Sequence, residues 1–172
     1  MSTVAGRTMT QRMIGAATLD VPTFEEVEHD TTATGQAAGV VALAAVARGI
    51  GSVGHGSATI VGALVAAFLG WLVWSGITYL IGTRLFDGKA TWGELLRTLG
   101  FAQAPGLLMV VAFIPVLGWL VALVVAVWLL IAGIVALRQA LDVTTGKAIL
   151  TAVIGWLAIA IPMGLLRLAA RA

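Results

Sequence analysis

Cysteine is missing from all 172 positions, so disulfides and thiolate-bound metals are excluded and the redox compartment leaves no mark on the chain. Charge is nearly as scarce: Asp, Glu, Lys and Arg make up only 10% of the residues, against roughly 25% in soluble domains. Disorder and coiled coil both need many more charges and fall with that figure. The ten basic residues leave a formal charge of +2 and a pI near 9.7. They are scattered rather than gathered in a stripe, which argues against nucleic acid as a partner. What remains is apolar. At 60% hydrophobic residues and a mean hydropathy of +1.04, the chain carries more apolar surface than one 17.7 kDa core can hide from water. The solvent for much of it is lipid.

Charge spacing divides the chain. Uncharged intervals of 17, 35, 40 and 19 residues separate Asp30 from Arg48, Arg48 from Arg84, Arg97 from Arg138, and Lys147 from Arg167. A helix rises 1.5 Å per residue and the hydrocarbon core is about 30 Å thick, so a span needs roughly 20 apolar residues. The longest interval would make a helix of about 60 Å and must fold back. Pro115, Leu117 and Gly118 supply the break. The stretch Gly49-Ile-Gly-Ser-Val-Gly-His-Gly-Ser57 is too polar and glycine-rich for a span. The pattern predicts an all-α polytopic bundle of five transmembrane helices, near 34–50, 58–82, 99–114, 118–138 and 148–166, in a membrane domain covering 32–170.

Residues 1–31 read as a polar arm. Positions 1–21 show no compelling pattern and are expected to be mobile. Thr23-Phe-Glu-Glu26 after Pro22 has the form of a capping box, so a helix is expected to start there and could run directly into the first span. No apolar stretch followed by a cleavage site occurs in the first thirty residues, so no removable signal peptide is expected. A second capping box, Thr91-Trp-Gly-Glu94, predicts a short interfacial helix with Trp92 at headgroup depth. With five spans, Arg7, Arg12, Arg84, Lys89, Arg97, Arg138 and Lys147 share one side, and Arg48, Arg167 and Arg171 the other. That bias predicts a cytoplasmic N-terminus and an outer C-terminus, in a cell inner membrane.

No reaction chemistry emerges. Gly49-Ile-Gly-Ser-Val-Gly54 matches a dinucleotide fingerprint in form, but it lies between membrane helices, and Val73 and Trp74 stand where an acid is needed. It reads as a loop, and His55 within it as a solvated histidine rather than a pH sensor or metal ligand. His29 lies across the membrane from His55. Glu25, Glu26, Glu28, Asp30 and Asp87 have no ligand-like spacing and read as a solvated acidic face. No nucleophile, base and orienting group converge, and an enzyme is not expected. No metal or cofactor is implied.

Transport would leave ionisable groups within the spans, and none is expected there. Ser75, Thr78, Tyr79 and Gln103 are expected to bond across helices. Gly35/Gly39 and Ala66/Gly70 place small residues four apart, suited to close helix packing within the bundle or between copies. Trp71, Trp74, Trp128 and Trp156 fall mid-span, where they pack inside the bundle or face a partner or lipid.

From Tyr79 to Leu141 the chain resembles prokaryotic members of the Yip1 family. The resemblance rests on Tyr79-Leu-Ile-Gly-Thr-Arg-Leu-Phe86, Leu95-Leu-Arg-Thr-Leu-Gly-Phe-Ala-Gln-Ala-Pro105 and Ala136-Leu-Arg-Gln-Ala-Leu141 with Lys147-Ala148. It extends over about 20–168, and its most specific piece runs from Gly100 to Pro105. The N-terminal Asp-Leu-x-Gly-Pro element of eukaryotic relatives, whose N-terminal end is tied to Rab GTPases and vesicle traffic, is absent here. The resemblance implies a five-span protein without catalysis, acting through protein or lipid contacts in membrane organisation or a trafficking-like role. Arg84, Asp87, Lys89, Glu94, Arg97, Arg138, Asp142 and Lys147 form the expected cytoplasmic docking face. They could instead merely anchor the bundle at the interface. Arg138 and Asp142 would pair if the fourth helix continued past the bilayer. Partners are membrane lipids and other membrane proteins or a second copy; an accessory subunit of a larger complex and a small pore or transporter stand as alternatives.

Overall fold

The computed structural model describes residues 6–52, 60–114 and 117–170. Among these residues every regular element is helical: α1 (Met9–Ala17), α2 (Val21–His29), α3 (Ala33–Gly51), α4 (Ile60–Leu85), α5 (Trp92–Phe101), a 3-10 helix (Ala104–Val111), α6 (Gly118–Ala140) and α7 (Thr145–Ala169). Of these, α3, α4, α6 and α7 are long and apolar enough to cross a membrane. The chain is an all-α, multi-pass membrane protein. Gly49, Ile50 and Gly51 are the last turn of α3 rather than loop; His55 and Pro115 lie outside the described residues.

The expected third span is built differently. Instead of one α-helix, 99–114 is divided between the end of α5 and the 3-10 helix. Pro105 lacks an N–H, and its ring disfavours α geometry in Ala104, so the chain tightens here. A 3-10 helix rises about 2.0 Å per residue, so the segment travels further per residue than an α-helix. It runs alongside α3 in the same direction. Gly100 meets Ala37, Gly106 faces Ala44, and a side chain on Gly51 would collide with the Met109 carbonyl. Ala104, Pro105 and Gly106 are buried, so irregular backbone at membrane depth is covered by protein.

The N-terminal arm also departs from expectation. Residues 9–17 form α1, opened by a capping box in which the Thr8 hydroxyl accepts from the Gln11 N–H and the Gln11 amide oxygen accepts from the Thr8 N–H. The helix closes with Leu19 at φ 63°, where the Asp20 N–H reaches the Gly15 carbonyl at 2.9 Å and the Leu19 N–H the Ala16 carbonyl at 3.2 Å. Next, α2 begins at Val21, two residues before Thr23, and the Thr23 hydroxyl donates to Asp20 Oδ2 at 2.6 Å instead of capping. It does not continue into the first span. Asp30 leaves helical geometry, and its Oδ1 accepts from the Thr32 N–H at 2.9 Å. The second box forms as its sequence predicts, with Thr91 and Glu94 exchanging hydrogen bonds at the start of α5.

The buried core lies at one end. Ala16, Phe24 and Val27 of α1 and α2 meet Ala33, Ala37 and Val40 of α3, Leu95, Leu99 and Phe101 of α5, and Ala132, Ala136 and Leu137 of α6. Toward the other end Val61, Leu69, Leu120, Leu123, Leu165 and Leu168 are exposed, a surface stable only against lipid. We call the packed end the capped end.

Candidate functional site

The cap is held by arginines. Arg12, only 4% exposed, sends Nη2 to Glu26 Oε1 at 2.9 Å and to Asp30 Oδ2 at 2.6 Å, Nε to Glu26 Oε1 at 3.1 Å, and Nη1 to Gln36 Oε1 at 3.1 Å. One side chain thus ties α1 to the C-terminal half of α2 and to the first turn of α3. Arg7 pairs with Asp20 at 2.9 Å and with Glu26 at 3.5 Å. From α6, the Trp128 indole N–H donates to the Ala17 carbonyl at 2.7 Å, and Gln139 Nε2 donates to Glu25 Oε1 at 3.0 Å.

Arg97 is the second fastener. Expected on the docking face, it is instead 6% exposed beneath α2. Its Nε donates to the Val27 carbonyl at 2.9 Å and the Glu28 carbonyl at 3.1 Å, and its Nη2 also donates to the Glu28 carbonyl. These carbonyls belong to the last turn of α2, where helical partners run out and a cation is favoured.

Two loops complete this end. The Lys89 N–H donates to the Leu141 carbonyl at 2.9 Å, and Lys147 Nζ donates to the Phe86 carbonyl at 3.0 Å. The α4–α5 and α6–α7 connections are thereby stapled together, and exposed Arg84, Asp87, Lys89, Arg138, Asp142 and Lys147 lie at one end of the molecule. Glu94 is half-buried and engaged in capping Thr91. Arg138 and Asp142 do not pair, because α6 stops at Ala140. Asp142 is left-handed at φ 52°, with the Val143 N–H reaching the Arg138 carbonyl at 3.3 Å and the Asp142 N–H the Gln139 carbonyl at 3.0 Å.

Electrostatics distinguish the carboxylates. Asp20 is held below its usual range by the Thr23 hydroxyl and then Arg7, and Asp30 by the Thr32 hydroxyl and then Arg12. Burial pushes the Glu28 carboxyl up to about 7; His29 opposes that, whereas Glu94, Asp142 and Glu25 reinforce it. His29 is raised by the Glu25 carbonyl, which its Nδ1 meets at 2.8 Å, and by the Glu28 charge. Among the described residues no three His, Asp or Glu are grouped to hold a metal.

The small residues separate. Gly100 packs on Ala37 and Gly39 on the Met9 methyl, while Gly35 and Gly70 have open space where a side chain would stand and Ala66 is exposed. Pro105 is buried in the 3-10 helix. The tryptophans separate too. The Trp71 indole N–H donates to the Leu96 carbonyl at 3.0 Å, Trp74 lies against Gly155, and Trp156 is 63% exposed toward lipid. Arg48 corrects the expectation of spans free of ionisable groups: it lies within α3, half-buried, with Nη1 at 3.4 Å from Gln103 Oε1.

A family model described as the Yip1 domain matches residues 18–166. No curated protein and no solved structure matches the chain.

Proposed function

The chain belongs to the Yip1 family, and from that premise we propose that it is a non-enzymatic membrane organiser whose capped end is a cytoplasmic platform for a partner protein. The observation carrying this reading is the fastening of the arm. Buried Arg12 and Arg97 hold α1 and α2 against the bundle, so the arm and two stapled loops make one surface that binding need not order. Of the eight docking residues read from the sequence, the proposal keeps Arg84, Asp87, Lys89, Arg138, Asp142 and Lys147. Arg97 acts beneath them as a fastener, and Glu94 caps the start of α5.

The chain makes five traverses in this reading: four α-helices, and a shorter fifth in which the end of α5 and the 3-10 helix follow α3 from the level of Ala37 to that of Gly51. Five traverses put Arg7, Arg12, Arg84, Lys89, Arg97, Arg138 and Lys147 on the cytoplasmic side, as the distribution of basic residues favours. The test is native mass spectrometry of tagged protein purified from its own membrane. Wild type is expected to carry a protein companion in fixed ratio. The variant with Arg84, Lys89, Arg138 and Lys147 all changed to Gln is expected to lose it at least about tenfold. Absence of any companion, or equal retention by both, would overturn the reading.

A further inference from the structure

Away from the capped end, α3 and α4 part around a cavity of about 810 Å³. Its α4 wall is Ala63, Ala66, Ala67 and Gly70, continuing to Trp71 and Trp74. The eleven helical steps from Ala63 to Trp74 make that wall about 16 Å long. Arg48 and Gln103 are on the facing side, and Trp74, Leu99 and Gln103 also border a second cavity of about 110 Å³.

Arg48 is the unexplained group. It is one turn from the end of α3, close enough for its long side chain to reach the nearer interface. It turns the other way. Gln103 lies between Gly100, which meets Ala37, and Gly106, which faces Ala44, so the guanidinium is turned back toward the membrane interior. Among the described residues no carboxylate meets it; its one hydrogen-bond partner is a neutral amide 3.4 Å away. A cation held at such depth calls for an anion. A cavity of this size, walled mostly by methyl groups, glycine and indole, has far more room than a bare inorganic ion needs and lies within the range of sites for whole organic ligands.

We infer that this cavity is a lipid site, in which Arg48 takes the phosphate of an anionic phospholipid, Gln103 orients the guanidinium, and an acyl chain lies along Ala63, Ala66, Ala67 and Gly70. The small side chains are what open the space. On Gly70 a Cβ would touch nothing within 4 Å, so a larger residue there fills the cavity without disturbing the bundle. The site uses none of the six proposed docking residues and stands whether or not a protein docks at the capped end.

The test is native mass spectrometry of the full chain in mild detergent, titrated with dioleoyl phosphatidylglycerol and separately with dioleoyl phosphatidylcholine. The anionic lipid is expected to saturate one site at least about tenfold more tightly than the zwitterionic one, the gain of one desolvated charge-assisted contact. Arg48→Gln is expected to remove that preference, and Arg48→Lys to keep part of it. Gly70→Leu is expected to weaken both lipids at a thermal stability equal to or above that of wild type, which separates loss of the site from loss of the fold. Equal binding by wild type and Arg48→Gln, or full binding by Gly70→Leu, would overturn the lipid site. Displacement of the phospholipid by millimolar inorganic phosphate would replace it with a simple anion site.

Discussion

Changing Arg97 to Met removes the guanidinium and keeps most of the side-chain stem, so the fall in stability isolates its contacts with α2. The loss is worked from two donating N–H groups, the single Nε hydrogen being shared between two carbonyls. Two carbonyls of the last α2 turn, those of Val27 and Glu28, receive Nε at 2.9 and 3.1 Å, and Nη2 adds a further bond to Glu28. Hydrogen bonds to a charged group contribute about 1.5–3 kcal/mol each, and a cation at a helix C-terminus adds about 0.3–1 kcal/mol. Release of a 6% exposed guanidinium from its desolvation offsets part of this, leaving a net loss of about 3 kcal/mol. The loss is local, because Arg97 joins α5 to the cap alone. Hydrogen exchange in α2 should accelerate about a hundredfold while the centres of α4 and α6 keep their rates. Arg97→Lys, with a single ammonium for the same carbonyls, should lie between. Acceleration below about tenfold in α2, or an equal acceleration in α6, would refute the view of Arg97 as the fastener of the cap.

The pH dependence of the cap follows from opposed shifts. Glu28, raised from 4.5 to about 7, and His29, raised from 6.5, contribute stability that is complete below those ordinary values and is lost as pH rises through the folded ones. Asp20 and Asp30, held below 3.8, contribute stability above that value and lose it as pH falls through their folded ones. The cap should therefore be tightest between about pH 4 and 5 and loosen toward pH 8. Glu28→Gln should restore at most about 3 kcal/mol at pH 8 and almost nothing at pH 4.5. Thiol protection of a cysteine placed at buried Ala16, normalised to a free thiol, reads both. Gly100→Ala, whose Cβ would come within 2.7 Å of the Ala37 methyl, should lower thermal stability in detergent by about 1–3 kcal/mol. Gly133→Ala, with nothing within 4 Å, should raise it by about 0.5–1 kcal/mol.

Charge gaps and apolar length locate α3, α4, α6 and α7 well, because length and hydropathy are local properties. The 99–114 segment is less legible for an equally local reason. Its hydropathy is that of a span, but Pro105 forces a 3-10 path that only the cover of α3 makes tolerable. The α1 helix had a readable start in Thr8-Met-Thr-Gln11, the same spacing as the box at Thr91. Its end at left-handed Leu19 carries no glycine to mark it. The arginines were the hardest to place. Spacing counts Arg12 and Arg97 as topological charges, yet their partners Glu26, Asp30 and the α2 carbonyls lie 14 to 70 positions away. Arg48 reads in the sequence as one of the outer-side charges. Only the neighbouring path of Gln103 shows that it turns inward.

The folded arm and the two interhelical loops should share one cytoplasmic face, opposite the end of α7. The absence of cysteine makes the test clean. Single cysteines at exposed Glu25, Lys89, Asp142 and Leu168 are challenged with a membrane-impermeant maleimide in intact cells, before and after permeabilisation. Leu168→Cys should label in intact cells, whereas Glu25→Cys, Lys89→Cys and Asp142→Cys should label only once the membrane is opened. Labelling of all four from the same side would reduce the traverses to an even number and contradict this arrangement, as would labelling of Glu25→Cys in intact cells.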